Sequence, residues 1–109
     1  MAENAPQKID GGQKWEDKGG YKIRWIIKED AELGIKMLEV YVKPHGEHPE
    51  KTVSDAQRIY HITNGRVDFT IQGEHCTAVQ GDTIVLRKGD VYSYKALELA
   101  ASMQEVCKI

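Results

Sequence analysis

Cysteine is scarce in this 109-residue chain: there are two, Cys76 and Cys107, with no CxxC spacing. A structural zinc site of the paired-thiolate kind therefore has no basis in the sequence. Reduced, part-buried thiols are the expected state, as in an intracellular domain. A disulfide between them would need their strands to pair, and nothing in the sequence requires one. No apolar run approaches membrane-spanning length, and Met1 to Asp10 has no greasy core of the secretion-signal kind. A cytoplasmic location, with no membrane partner, is the expectation. Neither sign of charge dominates: 15 basic and 17 acidic residues leave a formal net charge of -2. The basic residues are scattered, so there is no electrostatic reason to expect nucleic acid or an anionic membrane surface. There is no internal repeat, no low-complexity tract and no stretch that requires a helix.

What remains is an ordinary globular mixture, 40% hydrophobic and 29% charged. Its length suits one domain with one core. Residues 1–12, with Pro6 and Gly11-Gly12, read as a flexible tail, and residues 13–109 as one all-β domain. Tyr21–Ile27 alternates and then turns apolar, which suits a strand. In Ile35–Lys43, Leu38, Val40 and Val42 share one parity, while Ile35, Met37, Glu39 and Tyr41 share the other. Further strands are expected at 58–62, 66–71, 75–79, 83–87, 91–95 and 100–107, divided by Gly-containing turns. Asn64-Gly65 between two β-rich runs is a strong hairpin signal. Strands at this spacing indicate a sandwich or closed barrel.

Pro44 to Asp55 is the long polar segment, and it reads as a loop. It holds His45 and His48 beside Glu47 and Glu50, which could coordinate zinc or nickel. Histidines beside prolines are more often solvated, and that is the favoured reading. His61 should face away from the lumen, and His75 should be exposed.

The order of turns from Tyr60 to Tyr94 resembles the cupins. Ile59–Gly65 matches the apolar strand and glycine turn that end their first signature. Gly81–Tyr92 matches the Gly-Asp turn, apolar strand and second turn of the other, with Gln72-Gly73-Glu74 between them. The resemblance implies a cupin-type double-stranded β-helix, a jelly-roll barrel. Typical cupins bind a divalent metal through His-x-His, a third Glu or His, and a last His. Those positions fall here near Thr52 and Ser54, on Arg58 and on Tyr92, and Arg87 replaces the motif proline. A guanidinium cannot coordinate. The resemblance thus implies a degenerate metal site with no cofactor. His45 and His48 remain weak metal candidates.

Strand parity puts Arg58, Tyr60 and Ile62 on one face, and Tyr92 and Tyr94 on another. In the cupin register these line a lumen, with Thr52 and Ser54 at its rim. Ile62, Phe69, Ile84, Leu86 and Met103 would form its floor. Arg58 would favour a carboxylate or phosphate, and the tyrosines would stack on a sugar or aromatic ring. The bland alternative is tyrosine as barrel filler, with Arg58 paired to Glu39, Asp55 or Glu105. Two functions follow. One is a metal-free barrel binding a sugar, sugar acid or small carboxylate. The other is an isomerase, epimerase or lyase with Tyr92 or Tyr60 as acid, or a metal enzyme using the loop histidines. Similar cupins are commonly homodimers, and the Tyr21–Ile27 strand with Trp25 is the expected contact.

Overall fold

The computed structural model describes residues 6–11, 13–54 and 56–109. Part of the expected tail, residues 1–5 and 12, lies outside the described residues, as does Asp55. The elements are β1 (Glu16–Asp17), β2 (Tyr21–Asp30), β3 (Ile35–Val42), β4 (Glu47–Thr52) and β5 (Arg58–Asn64). They continue with β6 (Arg66–Ile71), β7 (Glu74–Val79), β8 (Thr83–Leu86), β9 (Val91–Lys95) and β10 (Ala101–Lys108). Among the described residues there is no helix, and so none long and apolar enough to cross a membrane.

The strands form two antiparallel sheets, β1-β2-β3-β10-β5-β8 and β4-β9-β6-β7. From β5 onward the chain changes sheet at nearly every turn, which is the jelly-roll path. The Asn64-Gly65 turn shows the consequence. It does not close a hairpin, because β5 pairs with β10 and β8 while β6 pairs with β7 and β9. A Cβ on Gly65 would meet the Ala100 carbonyl at 2.9 Å, so the corner packs backbone on backbone. The hairpin lies one strand later. Gln72 (φ 52) and Gly73 (φ 79) join Ile71 to Glu74 with both φ values positive, as a two-residue twisted turn requires. At the two Gly-Asp turns the aspartate closes the corner. Asp82 accepts from the Val79 N–H at 2.9 Å, and Asp90 from the Arg87 N–H at 2.8 Å.

The segment expected as a long loop contains β4, an edge strand paired with β9. Its register slips between His48 and Lys51, around Pro49. A proline lacks the N–H of a regular ladder and is tolerated at an edge or bulge. Two glycines set the start of this strand: a Cβ on Gly46 would collide with the Gly20 carbonyl, and one on Gly20 with the Glu47 backbone. Their contact brings β4 against the start of β2.

The lumen side of the larger sheet is ordered in rows across the strands. One row holds Ile62, Met103, Val40 and Ile23; the next holds Ile84, Tyr60, Glu105, Leu38 and Trp25. The last holds Leu86, Arg58, Cys107 and Lys36. The expected floor residues Ile62, Phe69, Ile84, Leu86 and Met103 are all buried. Charge enters only in the last two rows. Cys107 is buried there, Cys76 is exposed on the opposite sheet, and both are free thiols. The two strands do not pair, so the disulfide has no route.

Candidate functional site

The polar rows open into a cavity of about 210 Å³ between the two sheets. Arg58, Tyr60, Tyr92 and Tyr94 all line it, as their strand parity requires. The Tyr60 and Tyr92 hydroxyls lie 3.3 Å apart. Arg58 Nη1 donates to the Tyr92 hydroxyl at 3.4 Å and to Glu105 Oε2 at 3.3 Å. Its Nε and Nη2 both donate to the Ala56 carbonyl at 3.2 Å. Of the three anions considered for Arg58, Glu105 is the partner. Glu39 pairs instead with Arg24 at 2.6 Å, and Asp55 lies outside the described residues.

Thr52 and Ser54 do not line the cavity. Thr52 is exposed at the end of β4, opposite Val91, and Ser54 is exposed beyond it. β4 contributes His48 and Lys51 in their place. His45 is exposed in the turn before β4, at φ 58. His48 corrects the expectation of a solvated histidine. Its ring stacks on Tyr94 at 4.7 Å and on Tyr92 at 5.4 Å, and meets Tyr21 at 5.1 Å. The strand register His48–Tyr94 imposes this, and the Gly20–Gly46 contact supplies Tyr21. His48 Nδ1 is buried with no hydrogen-bond partner in the structure. His61 and His75 face outward, bonded to Thr83 and Thr70.

Burial governs the acid–base character of the site. It lowers the His48 imidazole below its ordinary range, so the ring is neutral near pH 7. Burial, then the Glu105 charge, raises the Tyr60 and Tyr94 phenols well above theirs. Burial also raises Tyr92. The Cys107 thiol, which donates to Glu105 Oε2 at 3.2 Å, is pushed up to about 12 by burial and that carboxylate. The thiol is therefore a hydrogen-bond donor rather than a nucleophile.

Lys51, Lys36 and Cys107 were not singled out as site residues from sequence; Glu105 was weighed only as a partner for Arg58, and His48 only as a weak metal candidate, not as a lumen residue. Glu105 had a usable signal: it is the one charge on the alternating parity Ala101, Met103, Glu105, Cys107. His48 had none, because Pro44 and Pro49 hide the strand that carries it.

No protein-family model and no curated protein matches this sequence. Solved structures do. KdgF from Halomonas sp. is 15% identical, with a TM-score of 0.80, over 92% of this chain and 91% of that one. A predicted oxalate decarboxylase of Thermotoga maritima is 15% identical, with a TM-score of 0.79, over 89% and 91%. An RmlC-like cupin from Shewanella frigidimarina is 10% identical, with a TM-score of 0.79, over 94% and 91%. The fold is that of a small, all-β cupin.

A cupin fold implies a divalent metal, and the donor set here does not fit one. The positions concerned present two exposed hydroxyls, a guanidinium and a phenol whose proton burial retains. Among the described residues no group of three or more His, Cys, Asp or Glu is placed to hold an ion.

Proposed function

We propose that this barrel binds a small hydroxylated carboxylate in its lumen, without a resident metal. The observation that carries this is the charge around the cavity, where Lys36, Lys51 and Arg58 are set against Glu105. Arg58 is occupied by Glu105. The two ammonium groups remain, and neither has an ion-pair partner among the described residues. A ligand carboxylate would give them charge-assisted hydrogen bonds. The phenols suit ligand hydroxyls and the face of a sugar ring. Glu105 Oε1, which accepts no bond from a described residue, suits a hydroxyl donor. The volume of about 210 Å³ is below the roughly 300–1,000 Å³ of drug-sized sites. It suits a small acid and not a nucleotide-linked sugar. The name of the Thermotoga neighbour adds weight to an acid, since oxalate is one.

A thermal-shift titration of small acids against matched neutral sugars tests this. The acids should stabilise the chain, and Lys51→Gln should weaken their binding at least about tenfold. Equal shifts by neutral sugars, or no loss in either Lys51→Gln or Lys36→Gln, would overturn it. Stoichiometric metal in protein purified without a histidine tag would overturn the metal-free part.

His48 favours a second reading, an isomerase, epimerase or lyase. A neutral imidazole beside Tyr92 is the base that the tyrosines otherwise lack. It would take the proton from the carbon next to the carboxylate, leaving the electron pair in an enolate. The Tyr92 phenol would return a proton to that carbon. Deuterium entering the ligand from heavy water, and lost in His48→Gln, would select this reading.

A further inference from the structure

The lumen cavity has two unlike sides. Its phenols and most of its charges come from β4, β5, β9 and β10, while β2 and the adjoining part of β3 close it with Tyr21, Ile23, Trp25 and Leu38. Alternation along β2 makes this wall. Lys22 and Arg24 reach outward over the Trp15 ring, so Tyr21, Ile23 and Trp25 turn to the lumen. Trp25, expected at a contact between copies, therefore lines the cavity. In the cross-strand row it stands beside Leu38, and Leu38 beside Glu105. Its indole is half-buried at the edge of the hydrophobic core. The rings of Tyr21, His48, Tyr60, Tyr92 and Tyr94 form one connected set. Trp25 lies outside it. Among the described residues no aromatic ring or cation packs on the Trp25 indole, and no hydrogen bond engages its N–H.

From this open indole, and resting on the acid-binding reading above, we infer that the ligand is an aromatic carboxylate. Its ring lies on Trp25 and its carboxylate meets Lys36 and Lys51. Size agrees with one ring. The cavity holds about 210 Å³, and an apolar cavity of about 150 Å³ accommodates a benzene molecule. A six-membered ring with a directly attached carboxylate therefore fits. The wall decides between an aromatic ring and a sugar. Its only polar ends are the Tyr21 hydroxyl and the Trp25 N–H, set among Ile23 and Leu38. A sugar would bring several hydroxyls there and leave most of them without replacement for the water they give up. A flat aromatic ring gives up no such bonds and gains an offset or edge-on contact with the indole. The charge is placed to match. Lys36 lies two residues from Leu38 on the same face of β3, about 7 Å along the strand, so an ammonium stands close beside the apolar wall. Lys51 reaches the cavity from β4.

The chain has two tryptophans, so Trp15→Phe leaves Trp25 as the only indole reporter. In that variant 4-hydroxybenzoate should quench the fluorescence saturably. By thermal shift it should bind at least about tenfold more tightly than gluconate. Trp25→Leu should lose that advantage and keep the wild-type circular dichroism. Should Trp25→Leu misfold, the quenching and the ratio of the two acids in Trp15→Phe decide. Gluconate binding as tightly as 4-hydroxybenzoate overturns the inference and leaves acid binding standing. So does bound 4-hydroxybenzoate that leaves Trp25 unquenched. Neutral 4-hydroxybenzyl alcohol binding as tightly as 4-hydroxybenzoate would overturn the acid reading and support only the ring on Trp25. Failure of both acids to bind overturns both readings.

Discussion

Two neighbouring rows on the lumen side of one sheet differ sharply. Ile62, Met103 and Val40 are buried in the hydrophobic core. One row further on, Tyr60 and Glu105 begin a chain of polar contacts that runs to Arg58 and Tyr92. The floor is held by area and fit, which act in every direction. The mouth is held by a few directed bonds, most of them between 3.2 and 3.4 Å, and by one ion pair. The difference teaches where the molecule can change cheaply. The floor gains from being full, whereas the mouth keeps charges that a purely stabilising design would omit.

Breaking the floor should cost most. Phe69 has no exposure and packs against the Tyr60 and Tyr94 rings at 5.6 and 5.4 Å. Phe69→Ala should lower stability by about 4 kcal/mol, measured by urea unfolding. Breaking the mouth should cost somewhat less. Arg58→Ala leaves the nearly enclosed Glu105 without its cation, a loss of about 3 kcal/mol. The sharper experiment converts mouth into floor. Replacing both partners, Arg58→Met with Glu105→Leu, should recover most of that loss. A double variant no more stable than Arg58→Ala would show that the polar row is needed for the fold.

The same contrast explains what could be read from sequence. Alternation marks a face whichever neighbour covers it, so the buried parity of Leu38, Val40 and Val42 and the lumen positions of Arg58, Tyr60, Tyr92 and Tyr94 were legible. Residues that depend on which strands meet were not. Asn64-Gly65 carries the local chemistry of a hairpin, yet local chemistry does not say whether the next strand pairs or crosses to the other sheet. β4 was masked by Pro49 within it and Pro44 before it; an edge strand with a bulge tolerates an internal proline and a central strand does not. With β4 read as a loop, Thr52 and Ser54 took the rim positions that belong to His48 and Lys51. Glu105 lay on a plainly readable strand, and its place as the hub of the mouth follows only from a register linking β10 to β5.

The smallest expected effect concerns His48, which belongs to both regions: its ring is packed like the floor, and its nitrogens belong to the mouth. Burial holds its folded-state pKa below the ordinary imidazole value of about 6.5. The unfolded chain therefore takes up its proton first as the pH falls. Stability from this group is complete above about pH 6.5 and is lost as the pH drops through the folded-state value. His48→Phe keeps the stacking on Tyr92 and Tyr94 and removes the titration. Melting curves between about pH 7.5 and 5 should thus decline for the wild type and run flatter for the variant. Equal declines would mean that the ring takes a proton in place, with Nδ1 reaching water, and the packed description of His48 would fail.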